Sequence, residues 1–324
     1  VRGKVDQQLG HGAIAWISAA LLAAQRLSGR PSDPRHDLMT REEEGRAAAT
    51  RFRHEHNLGV LPLGDLIALV ELTTGVDVAV LDTDPDEHGL TMRDPASGAV
   101  FIGVARTTHP MRQRSTLAHE LAHVLFEDWT EWSDRSRDRS LEEVRADAFA
   151  RHLLIPVEGV VTIVAGRTAT DEAVLSEVVQ RFLVSPQLAA IALHQAGQID
   201  FATKQRWMAV TTPQLAIRFG WIDQYRSLQE LSNKRRAPQR LLARAIRGYA
   251  EGILPAQAIA TLLEVPVAQV ETDLHDAGIV PVIPPATWTG AAELETPQVD
   301  MAALDVDLGG PCEPESTAPQ KDSG

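Results

Sequence analysis

His119-Glu-Leu-Ala-His123 places two imidazoles four residues apart with a carboxylate between them. On a helix, residues i and i+4 stand one turn apart on the same face, so both rings can reach a single ion while Glu120 sits beside them. Divalent zinc suits two neutral imidazoles, and a catalytic zinc site adds one more protein ligand and keeps a position for water. The ion would acidify that water and polarise a carbonyl. Glu120 is then the candidate general base, taking a proton from the water and passing it to the leaving amine. Thiolate zinc sites are excluded, because the 324 residues contain one cysteine, Cys312, and such sites need two to four. The same count excludes an internal disulfide.

The third ligand is sought further along the chain. A closely following histidine, in the pattern HExxHxxGxxH, is absent, since the required Gly and His positions hold Phe126 and Trp129. The other common arrangement takes a carboxylate from a later helix. The stretch from Leu141 to Phe149 supplies Glu143, twenty residues after His123. Asp147, one turn on, shares its helix face and could accept the outer ring N–H of a ligand histidine, fixing the tautomer. Two alternatives stay open: Glu143 could close a capping box with Ser140, and Glu142 could be the ligand. His109, Arg114 and His152 are candidate oxyanion donors, with no spacing argument for any of them.

These side chains need elements to hold them. Thr40-Arg-Glu-Glu43 has the capping-box pattern that opens a helix towards Gly59, and a second helix is expected over Asp65–Thr73. The period then changes to two, so Val76–Leu81, Leu90–Arg93 and Ala99–Val104 read as strands of a small antiparallel sheet. Pro110 suits the first turn of the helix carrying the histidine pair, and Leu117, Leu121, Val124 and Leu125 mark its buried face. Glu127–Arg139 reads as a loop, and the next helix is expected from Ser140 to near Pro156. The remainder is helical in pattern, which makes the fold class α+β. It contains a weak repeat at an offset of 81 residues: Val184, Leu193, His194, Ala196 and Gly197 correspond to Val265, Leu274, His275, Ala277 and Gly278. Each copy resembles a helix-turn-helix, with turns at Ser185-Pro186 and at Val265-Pro266.

With 44% hydrophobic and 23% charged residues, the chain is an ordinary globular one, and no apolar run approaches the roughly 20 residues of a membrane span. Ala13–Ala24 looks like a signal-peptide core, but Asp6 and Arg26 make it a buried helix on this reading. The net charge of −13 is unevenly spread. From Val282 to the end, eight carboxylates face only Lys321, a net −7 that reads as a disordered acidic tail. From Lys204 to Arg247, ten bases face two acids, a net +8. Its bases are divided among several helices, which favours a protein partner over DNA, whose major groove needs them on one reading helix. Four divisions follow: an N-terminal helix and linker (1–38), a zinc metallopeptidase domain (39–160), a helical domain with two helix-turn-helix-like units (161–280) and the tail (281–324).

Two blocks, Arg112-Gln-Arg-Ser-Thr-Leu-Ala-His-Glu-Leu-Ala-His123 and Glu143-x-x-Ala146-Asp147-x-Phe149-Ala150-x-x-Leu153-Leu154-x-Pro156, resemble the ImmA/IrrE metallo-endopeptidases. Arg145 and His152 stand where members more often carry acidic residues. The resemblance implies a minimal zinc-peptidase fold in which the strand before the metal helix, Ala99–Val104, is a sheet edge that holds an extended substrate. It also implies a cytoplasmic enzyme of narrow scope that cleaves a helix-turn-helix transcriptional repressor.

Overall fold

The computed structural model describes residues 34–83, 89–128, 141–165, 167 and 171–282. The apolar run at 13–24, most of the expected loop at 127–139, and the acidic tail from 283 onward lie outside them. Helix α1 (Pro34–Glu55) starts at a proline, whose fixed φ suits a first turn, so Thr40 lies inside the helix and does not open it as expected. Helix α2 (Leu66–Thr74) is capped by Asp65, whose carboxylate accepts the Ala68 N–H at 3.1 Å. Gly75 ends it at φ 72°, a left-handed backbone that glycine adopts without strain.

Strands β1 (Asp77–Leu81), β2 (Leu90–Arg93) and β3 (Val100–Ala105) assemble in the order β1-β3-β2. The expected antiparallel sheet is corrected to a mixed one. β2 and β3 form an antiparallel hairpin, whereas β1 runs parallel to β3, from Asp77 opposite Phe101 to Leu81 opposite Ala105. The expected edge position of Ala99–Val104 is corrected as well, because β3 is central. Ile102 and Val104 are buried, and Ile102 is flanked by Val78 on one side and Thr91 on the other. The strand β2, Leu-Thr-Met-Arg, takes the rim, with Met92 and Arg93 exposed.

Behind the sheet lie α3 (Pro110–Phe126) and α4 (Leu141–Leu154). α3 is seated by Leu117, Ala118, Leu121 and Ala122, all buried; each leucine contributes about 1.5–3 kcal/mol by leaving water. α1 lies along α4, and the two backbones meet at Gly45, where a Cβ would stand 2.3 Å from the Arg145 carbonyl oxygen. Arg53 of α1 secures the far end, donating to the carbonyls of Leu153, Gly59 and Leu61.

The helices that follow are α5 (Val157–Val164), α6 (Glu172–Phe182), α7 (Pro186–Gln195), α8 (Phe201–Trp207), α9 (Thr212–Arg218), α10 (Ile222–Ser232), α11 (Gln239–Ala250), α12 (Ala256–Leu263) and α13 (Val267–Asp276). One core runs unbroken from Ala48 to Tyr225, and a smaller one joins Ala245, Ala256, Ile259, Ala260, Val270 and Leu274 of α11–α13. The repeat is visible in the backbone. Leu183 and Glu264 each end a helix at φ 54°, and Gly197 and Gly278 follow the next one at φ 67° and 72°. α7 and α13 have ten residues each.

The segment after α10 crosses back to the sheet. Val80 and Arg236 exchange both backbone hydrogen bonds (2.9 and 3.2 Å), which closes the outer side of β1. Arg236 also pairs with Asp65 at 2.9 Å, the Gln239 N–H reaches Glu71 at 3.0 Å, Arg240 bonds the Gly75 carbonyl, and Arg244 faces Asp77. Arg218 pairs with Glu172 and Arg235 with Glu264. Much of the basic run is thus engaged within the chain. No helix among the described residues is long and apolar enough to cross a membrane.

Candidate metal centre

With Leu117 and Leu121 turned inward, the helical period leaves His119 and His123 together on one half-buried side of α3. Their Nε2 atoms are 3.0 Å apart. Glu143, in the first turn of α4, completes the group: Oε2 lies 3.1 Å from His119 Nε2 and Oε1 lies 3.5 Å from His123 Nε2. Ligand atoms of these three residues fall within 4.8 Å of one another, and among the described residues they are the one such cluster of histidine, cysteine and carboxylate. Glu142 is exposed and outside it.

The outer ring nitrogens are also engaged. His119 Nδ1 donates to Asp147 Oδ1 at 3.0 Å, the contact expected of Asp147, and His123 Nδ1 faces Asp128 Oδ2 at 3.4 Å. With a cation in place of the Nε2 protons, a proton held on Nδ1 would leave each Nε2 lone pair directed into the cluster. Burial would lower the affinity of both rings for a proton, but the carboxylates outweigh it. Asp147 and Glu143 raise His119 to about 9, and Asp128 and Glu143 raise His123 to about 9. Hydrogen bonds from His119 and then His123 hold the Glu143 carboxyl far below its ordinary range. The space between the two Nε2 atoms and Glu143 therefore favours positive charge strongly. A divalent cation of borderline softness fits that demand and the nitrogen and oxygen donors that converge on it.

Glu120 is buried, and its orientation is fixed from β2. Thr91 Oγ1 donates to Glu120 Oε2 at 2.7 Å. Gly89, just before the strand, lies against the same side chain: a Cβ there would stand 2.3 Å from Glu120 Cγ and 2.8 Å from Oε1. The carboxylate is thus presented at the rim strand of the sheet, beside the two imidazoles.

The three candidate oxyanion donors are placed elsewhere. Arg114 is bound to the carbonyls of Gly64 and Leu63 at 2.6 and 2.7 Å. His152 is buried beside Glu42 at 3.7 Å. His109 is exposed where α3 begins, ten residues before His119, roughly 15 Å along the helix axis. Sequence reasoning missed Asp128, Thr91 and Gly89. Asp128 had one weak signal, a carboxylate five residues after His123; the other two had none.

A search among curated proteins finds no match to the chain. The family model Peptidase_M78, the IrrE N-terminal-like domain, matches residues 74–194. That span holds the sheet, α3, α4 and every side chain of the cluster, so residues 74–194 are similar to a metallopeptidase domain of the IrrE type.

Proposed function

We propose that this protein is a zinc-dependent endopeptidase of the cytoplasm that cleaves a helix-turn-helix transcriptional repressor, with Glu120 as general base and His119, His123 and Glu143 as metal ligands. The observation that carries this reading is the convergence of the two Nε2 atoms and the Glu143 carboxylate at 3.0–3.5 Å, with the Glu120 carboxylate fixed beside them. Zinc held there would supply a Lewis acid for a peptide carbonyl and for water. Glu120 does the proton work: its carboxylate takes a proton and releases it to the departing amine. Thr91 and Gly89 hold that carboxylate in one orientation, so little reorganisation precedes the transfer.

The substrate would lie along β2. Of the two rims of the sheet, β1 is closed by Arg236, and β2 is the one beside Glu120. An extended segment added there gains backbone hydrogen bonds, with alternate side chains providing selectivity. A DNA-binding protein with a structural zinc site is the weaker reading. A structural site has no use for a carboxylate base, and the internal pairing of Arg218, Arg235, Arg236 and Arg244 leaves fewer cations for phosphate.

The test is zinc analysis of the purified full chain, beside incubation with the repressor encoded next to it and mass spectrometry of the products. The expected result is bound zinc and one discrete cut, slowed by roughly 10²–10⁴ in Glu120→Gln, which keeps its metal. Parental turnover in that variant would remove Glu120 as the base. An intact repressor beside zinc-loaded protein would remove the substrate assignment alone.

A further inference from the structure

The proposed metal centre leaves Arg145 unused, although it lies midway between Glu143 and Asp147 on α4. It is buried, and burying a guanidinium is costly unless it is well paired. Its partners are specific. Nη2 donates to Asp128 Oδ1 at 2.6 Å, Nη1 stands 3.6 Å from Glu44 Oε2 of α1, and the guanidinium carbon is 4.0 Å from the centroid of the Phe126 ring. The other oxygen of Asp128 is the one facing His123 Nδ1.

The turn that delivers Asp128 is also particular. Glu127 ends α3 at φ 56°, and two backbone bonds close the helix: Asp128 N–H to His123 O at 2.9 Å, and Glu127 N–H to Val124 O at 3.2 Å. This is the Schellman arrangement, with a glutamate where glycine is usual. Asp128 therefore contacts His123 with both its backbone and its side chain. Burial raises the Asp128 carboxyl, but the bonds to His123 and Arg145 outweigh burial and keep it below the ordinary range.

We propose that Arg145 and Asp128 form a positioning relay for His123. Arg145 holds Asp128, Asp128 holds the outer nitrogen of the imidazole, and Nε2 is thereby kept directed at the ion. α4 then supplies a ligand through Glu143, orients His119 through Asp147, and orients His123 through Arg145. Arg145 is a positioning residue and touches neither metal nor substrate. The relay rests on the metal-centre reading above.

The experiment measures zinc affinity of the full chain by competition with a chromophoric chelator, with apo-protein Tm followed in parallel. Asp128→Asn and Arg145→Gln should each weaken zinc binding by about 10–100-fold, the usual scale for groups that orient a ligand histidine. Because the two residues act in series, the double variant should bind no more weakly than the worse single, whereas Asp147→Asn, acting on the other ring, should add to Asp128→Asn. The visible absorption of the cobalt-substituted protein should shift in both singles. If Arg145→Gln fails to fold, Arg145→Lys, which retains the charge, and Asp128→Asn carry the test. A lowered apo Tm with zinc affinity within about two-fold of the parent would make the pair merely structural and overturn the relay, as would fully additive losses. A parent chain whose zinc binding is indifferent to His119→Ala would instead overturn the metal centre, and the relay with it.

Discussion

Glu142 and Glu143 are adjacent in sequence but differ sharply in setting, since only Glu143 faces the two imidazoles. Glu143→Ala is expected to lose zinc, while Glu142→Ala keeps it and costs at most about 1 kcal/mol of helix stability; metal content after dialysis measures both. Gly89 offers a second residue-level test. Alanine there drives a Cβ into the Glu120 side chain, which is buried and hydrogen-bonded to Thr91 and has little room to yield. Gly89→Ala should retain zinc and lose about ten-fold or more in turnover, because a base displaced by about 1 Å costs rate without touching the ligands. Much at this scale was legible. The i, i+4 spacing brings His119 and His123 together, and the same spacing puts Asp147 on the face of Glu143. Asp128 was hidden because it is one carboxylate in a polar stretch that also holds Glu127, Glu131 and Asp134, and its role depends on a left-handed Glu127 that no local pattern announces.

α4 is the element on which the centre depends, and α1, outside the family match, supports it from behind. At Gly45 the neighbours are backbone atoms of Arg145 and Phe149 and the Cβ of Ala148, none of which can swing aside. Gly45→Ala gains about 1 kcal/mol in helix propensity but forces two helices apart, an overpacking cost of about 1–3 kcal/mol or more. The clash should win. A lower Tm and weaker zinc binding are expected together, since α4 carries Glu143; an unchanged Tm would mean that the helices separate freely. The sequence could not show this contact, because one glycine in a helical pattern does not name the surface it meets. Nor could it order the strands. Their boundaries follow from local alternation, but the parallel pairing of β1 with β3 depends on which strand most needs cover on both edges, a property of the assembled core.

Across the whole molecule, charge pairs tie distant segments. Glu42 of α1 faces His152 and Arg151 at the end of α4. The hydrogen bond from His152 acts first, against burial and with help from Arg151, and the Glu42 pKa falls to about 2. A carboxylate with a depressed folded-state pKa stabilises the fold above its unfolded value near 4.5, and that contribution is lost as pH falls towards 2. Glu42 is partly exposed, so solvent screening reduces the contribution to about 1 kcal/mol. Glu42→Gln should therefore be less stable at pH 7 and flatter than the parent between pH 5 and about 2, as read from urea midpoints. The charge count located the basic segment but not the internal partners of part of it, such as Asp65 and Val80 for Arg236. That contact also bears on synthesis. The three strands leave the ribosome close together, but the residue that closes β1 follows on the order of ten seconds later at ordinary rates of elongation. Throughout that interval Val80, on the side of β1 where Glu71 already covers the Val78 N–H, keeps its own backbone groups open to another nascent chain, so truncation before Arg236 should raise the share of inclusion bodies over soluble protein.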